Sequence, residues 1–82
     1  MSIEAIAATL AEVCQRVQEA QQDVLAARSG LEAATKILTE LERNHPDRLV
    51  PKEFPLADQR LAESLTELST GLEAIQRFQS SL

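Results

Sequence analysis

An all-α fold, an antiparallel helical hairpin, is what this sequence predicts, and three features predict it. An apolar heptad stripe runs unbroken through the first half of the chain. A proline-bearing segment interrupts the middle, and a second apolar stripe with the same spacing follows it. Helical side chains three and four residues apart share a face, so such stripes mark helices that bury one side. The whole chain, residues 1–82, reads as a single domain.

The first stripe comprises Ile3, Ile6, Leu10, Val13, Val17, Ala20, Val24, Ala27, Leu31, Ala34, Leu38 and Leu41, at alternating spacings of three and four. That is an a/d register, and the residues between are largely Gln, Glu, Ala, Arg and Thr, which tolerate helix. Ser2 suits the N-cap and Glu4 the positive end of the helix dipole. Gly30 is the weak point, since Gly in a helix interior costs about 1 kcal/mol relative to Ala. The register nevertheless holds phase from Ala27 to Leu31. One long helix over about residues 2–43 is expected, continuous or kinked at Gly30, with two shorter helices as the fallback.

Asn44-His45-Pro46 ends this helix, because proline lacks an amide and disfavours αR in the residue before it. The turn spans 44–55 and holds Pro51 and Pro55, with Leu49, Val50 and Phe54 expected to tuck in at the bundle end. Pro55 suits the first position of the second helix, over about residues 55–80. There Leu61, Leu65, Leu68, Leu72 and Ile75 repeat the spacing, and Phe78 and Leu82 extend it. Ser64 and Gly71 flank the stripe, where they either admit a close helix neighbour or are simply tolerated at the surface.

The two arms do not match in length. At about 1.5 Å per residue the first helix spans roughly 63 Å and the second about 39 Å, so the second should cover the first back to around Val17. The stretch Ile3 to Cys14 is left without an intramolecular partner. Ile3, Ile6, Ala7, Leu10, Val13, Cys14 and Val17 are therefore the candidate partner or dimer interface, through which two hairpins would complete a four-helix bundle or one hairpin would take a helix from another protein.

Composition narrows the function. A formal charge of −5, with 8 basic residues scattered among 13 acidic ones, offers no basic stripe for nucleic acid and none for an anionic membrane surface. No apolar run is long enough to span a bilayer, and Met1-Ser2-Ile3-Glu4 does not open a secretory signal. A cytoplasmic location is expected, with export by a route that needs no cleavable signal left open. One cysteine, Cys14, cannot form an internal disulfide, and with a single histidine, His45, it cannot build a zinc site. A small domain lacking both supports is expected to gain stability by association.

No catalytic, cofactor-binding or metal-binding residues are expected, and neither a cofactor nor a small-molecule substrate. His45 beside the turn proline reads as an exposed or capping residue, and Cys14 as a small buried hydrophobe. The carboxylates Glu4, Glu12, Glu19, Asp23, Glu32, Glu40 and Glu42 read as a solvated face, with Glu12–Arg16 and Glu32–Lys36 as favourable i,i+4 pairs.

In length, acidity and two Ala/Gln/Leu-rich helices around a central turn, the chain resembles the small helical hairpins of the WxG-type family associated with type VII secretion. The resemblance is architectural. The turn reads Asn44-His45-Pro46-Asp47 in place of Trp-x-Gly, and without tyrosine there is no C-terminal Tyr-x-x-x-Asp/Glu signal. It implies a hairpin that forms homodimers or heterodimers with another helical protein. The expected function is thus a non-enzymatic interaction module: a dimeric scaffold, chaperone or partner subunit, with a link to secretion implied by the resemblance. The alternative is a small acidic inhibitor, such as an antitoxin, immunity protein or phage-encoded blocker.

Overall fold

The computed structural model describes residues 2–82. They form two helices, α1 (Ile3–Glu42) and α2 (Glu53–Ser81), folded back on each other as an antiparallel hairpin. Ser2 caps α1 in extended geometry, its Oγ accepting the Ala5 amide at 3.1 Å and its carbonyl taking the Ile6 amide at 3.0 Å. This satisfies donors that a helix start leaves open. Helix α1 is continuous through Gly30, which keeps a negative φ; a Cβ added there would meet nothing within 4 Å. The glycine is an exposed helical residue and does not divide the helix.

The helix end tightens before it stops. The amides of Arg43, Asn44 and His45 bond the carbonyls of Glu40, Leu41 and Glu42, an i→i−3 pattern that closes the last turn ahead of Pro46. His45 is exposed, and its Nδ1 accepts the Asp47 amide at 3.2 Å. It caps the turn.

Helix α2 begins two residues before the position that Pro55 suggests. Pro55 is its third residue, behind Glu53 and Phe54, with Lys52 as N-cap. The first-turn amides of any helix lack an intrahelical acceptor, so proline is tolerated there beyond the first position. The Phe54 amide instead reaches the Pro51 carbonyl at 3.1 Å. Leu49, Val50 and Phe54 are half-buried at the closed end of the hairpin.

The helices pack one column away from the apolar register. On α1 the central column, Leu10, Val17, Val24, Leu31 and Leu38, is half-buried against α2. Its companion is the column four residues on, Cys14, Gln21, Arg28, Thr35 and Glu42, rather than the apolar column three residues on. Of that apolar column Val13, Ala27 and Leu41 are exposed, while Ile6, Ala20 and Ala34 are half-buried. On α2 the facing residues are Phe54, Leu61, Leu68 and Ile75 with Asp58, Leu65, Leu72 and Gln79. Gly71 does not mediate a close approach within the hairpin, since nothing lies within 4 Å of a Cβ built on it.

With 29 residues α2 is about one turn longer than expected. It therefore reaches further along α1. Cys14 belongs to the covered part, at 9% exposure, with Gln79 against it. The stretch standing clear of α2 contracts toward the first turns, where Ile3 is 63% exposed while Ile6, Ala7 and Leu10 are half-buried.

The hairpin is long and thin, 65 × 15 × 14 Å, with a radius of gyration of 19.1 Å; a compact domain of this length has about 12 Å. Its accessible surface is 6341 Å² for 9.0 kDa, where a compact monomer of that mass exposes roughly 4,900 Å². Among the described residues only Cys14 reaches the buried class, and no side chain is fully buried. Two helices make one line of contact and enclose no dry core. Neither is long and apolar enough to cross a membrane.

Candidate interaction surface

The shifted packing gives the hairpin two unlike sides. On one side, polar groups of α1 find partners on α2. The Arg28 guanidinium grips Asp58 in a fork, Nε to Oδ1 at 2.9 Å and Nη2 to Oδ2 at 3.2 Å. Gln21 Nε2 donates to Ser69 Oγ at 3.1 Å, and Cys14 Sγ donates weakly to Gln79 Oε1 at 3.5 Å. Hydrogen bonding to Asp58, reinforced by its charge, raises the Arg28 pKa; the same bond holds the Asp58 carboxyl below its usual range. A planar fork on a carboxylate fixes orientation as well as distance. These contacts sit at successive heptads and set the register of one helix on the other.

At the closed end Glu42 does comparable work. One carboxylate oxygen accepts the amides of Leu49 and Val50, at 2.6 and 2.9 Å. The Val50 amide, then the Leu49 amide, lowers the Glu42 pKa by stabilising its charged form. Glu42 is thus a loop anchor and not part of a solvated face. The two helical pairs read from the sequence are also replaced. Arg16 lies 3.5 Å from Glu19, and among the described residues neither Glu12–Arg16 nor Glu32–Lys36 comes within ion-pair distance.

The opposite side is carbon. The α1 column three residues on from the centre holds Ile6, Val13, Ala20, Ala27, Ala34 and Leu41, and beside it α2 presents Ala57, Ser64, Gly71 and Phe78. A shallow groove between the helices here is lined by Val13, Val17 and Ala20 of α1 and Leu68 of α2, together with Thr9, Glu12 and Arg16 of α1. Leu41 is 56% exposed, Phe78 53%, and Ile37 at the margin 66%. On the polar side the corresponding exposed large apolar residue is Leu25. Val13, Ile37, Leu41 and Phe78 thus gather more exposed apolar surface on or beside this side than Leu25 gives the other, and such a patch is a candidate association surface.

The seven residues read from the sequence as an interface divide among three columns. Ile6 and Val13 lie on the carbon side. Ala7 and Cys14 belong to the polar column, and Leu10 and Val17 line the contact with α2, while Ile3 stands exposed at the open tip. The structure does not gather them on one surface. Ala27, Ala34, Leu41, Ile37 and Phe78 lie on or beside the carbon side and are not among the seven residues that the sequence singles out. The signal was present: at Gln21 and Arg28 the i+4 column is polar, and α2 carries Ser69 and Asp58 to meet it.

Against protein-family models, curated proteins and solved structures alike, the chain gives no significant match.

Proposed function

We propose that this chain is a non-enzymatic protein–protein interaction module, half of a helical bundle that another helical chain completes, and that it serves as a scaffold, chaperone or partner subunit. One observation carries this reading: the hairpin has a largely apolar side, with no charge in its central columns, but no enclosed core of its own. Its surface exceeds that of a compact monomer by about 1,400 Å², and standard interfaces remove about 800 Å² per partner and obligate ones more. The polar side supports the same view. Its hydrogen bonds are made within the chain, which leaves the carbon side as the surface with unspent affinity. A helical face that is apolar along its length is recognised by another helix laid against it.

Native mass spectrometry of the chain, both purified alone and recovered from its host under mild conditions, tests the reading. Every folded species is expected to contain a second helical chain, identical or different. A folded chain that is monomeric in both preparations, with slowly exchanging amides throughout α1, would overturn it.

A further inference from the structure

We infer that the occupant of the carbon side is a second copy of this same chain, seated over the waist formed by Ala27 of α1 and Ser64 of α2. The inference rests on the interaction reading above and names its partner. Three observations converge on it.

The first is charge. None of the chain's 8 basic and 13 acidic residues falls in the carbon-side columns that run from Ile6 to Leu41 and from Ala57 to Phe78. Each copy carries a net charge of −5, and like charges brought face to face cost several kcal/mol in an interface. Two acidic copies meet most readily across a surface whose central columns carry no charge, and here the charged groups, Glu12 and Arg16 on α1 and Glu53 and Arg60 on α2, flank those columns. A basic partner would instead be drawn to acidic residues, which lie elsewhere on the hairpin.

The second is area. The surplus of about 1,400 Å² over a compact monomer is of the same order as the area one protomer of a stable dimer removes from solvent, since such interfaces run from about 800 Å² per partner to more than twice that for obligate pairs. A single peptide helix, with one narrow face, would cover only part of a surface two helices wide.

The third is the order of side-chain sizes. Ala20, Ala27 and Ala34, set against Gly71, Ser64 and Ala57, make a narrow waist, while Ile6, Val13 and Phe78 widen one end and Ile37 and Leu41 the other. Small residues hold the middle of this profile and a large one stands toward each end. A copy laid over it in either direction meets small residues at the waist, where helices can approach closely, and large ones toward the ends. Self-complementarity of this kind is what an isologous two-fold interface requires.

The test uses the full chain and two charge variants at exposed positions, Ala27→Glu on the carbon side and Leu25→Glu on the polar side. Sedimentation equilibrium over a wide concentration range gives the association constant, and circular dichroism confirms that each variant keeps its helix. The wild type is expected to dimerise. Ala27→Glu should weaken the dimer on the order of 100-fold or more, since it places two like charges in a desolvated interface. Leu25→Glu should leave the constant within a few-fold of wild type. An undiminished Ala27→Glu dimer, or a Leu25→Glu variant weakened as much, would overturn the assignment of the face and leave the interaction reading standing. A wild type that stays monomeric, while the host-derived complex contains a different helical chain, would overturn the second copy alone. Monomers in both preparations would remove both conclusions.

Discussion

Replacing Gly30 with alanine should stabilise the protein. Gly30 lies inside α1 with a negative φ, exposed, and a Cβ built there meets no atom within 4 Å. Nothing in the hairpin opposes the new methyl group, so the intrinsic difference in helix propensity is recovered, about 0.8–1 kcal/mol. Much of that gain arises in the unfolded chain, which loses conformational freedom when glycine is removed. For a domain of this size about 1 kcal/mol corresponds to a rise in Tm of roughly 4–8 °C. The assay is thermal and urea unfolding followed by circular dichroism at 222 nm, at one protein concentration for both chains. An unchanged urea m-value would show that the unfolding transition itself is the same. A lower Tm would refute the reasoning, because it would mean that Gly30 relieves a bend or a contact the hairpin does not contain.

Further expectations test the packing and the two sides. Truncating half-buried Leu31 to alanine in the central column should destabilise by about 2 kcal/mol, below the cost of a fully enclosed leucine, as denaturant unfolding can measure. A double-mutant cycle on Arg28 and Asp58 should return a coupling that weakens with added salt, while the same cycle on exposed Arg16 and Glu19 should return close to none. Glu42 gives a pH signature. Its folded pKa is lowered, so its contribution is full above the ordinary value of 4.5 and is lost as pH falls through the lower folded value. Hydrogen exchange at Leu49 and Val50, corrected for intrinsic rates, should therefore lose protection below pH 4.5, and Glu42→Gln should flatten that dependence. Equal protection across the range would contradict the loop anchor.

The sequence made the fold legible because α1 carries its period without a slip and Pro46 stops it cleanly. Less legible was which side of α1 would face α2. The apolar column at i+3 and the polar column at i+4 flank the same central residues, Leu10 to Leu38, and either could have joined them. Hydrophobicity alone favours the first. The choice fell to the second because Arg28, Gln21 and Cys14 each meet a complementary group on α2, a pairing that depends on the register between helices 30 to 65 residues apart in sequence. The carbon column was thereby turned outward, and the candidate surface moved from the tip at Ile3 to the length of the hairpin. Glu42 was hidden for a related reason: an acidic residue in a helix looks solvated until the loop beyond it folds back to offer two amides.

The central claim is that the hairpin is half of an assembly and that a second copy supplies the rest. Thermal unfolding across a thousand-fold range of protein concentration, paired with light scattering, tests it most directly. Because association with the folded state stabilises it by mass action, Tm should rise steadily with concentration while the scattering mass holds near twice 9.0 kDa. A Tm independent of concentration, with a mass of one chain throughout, would contradict the claim.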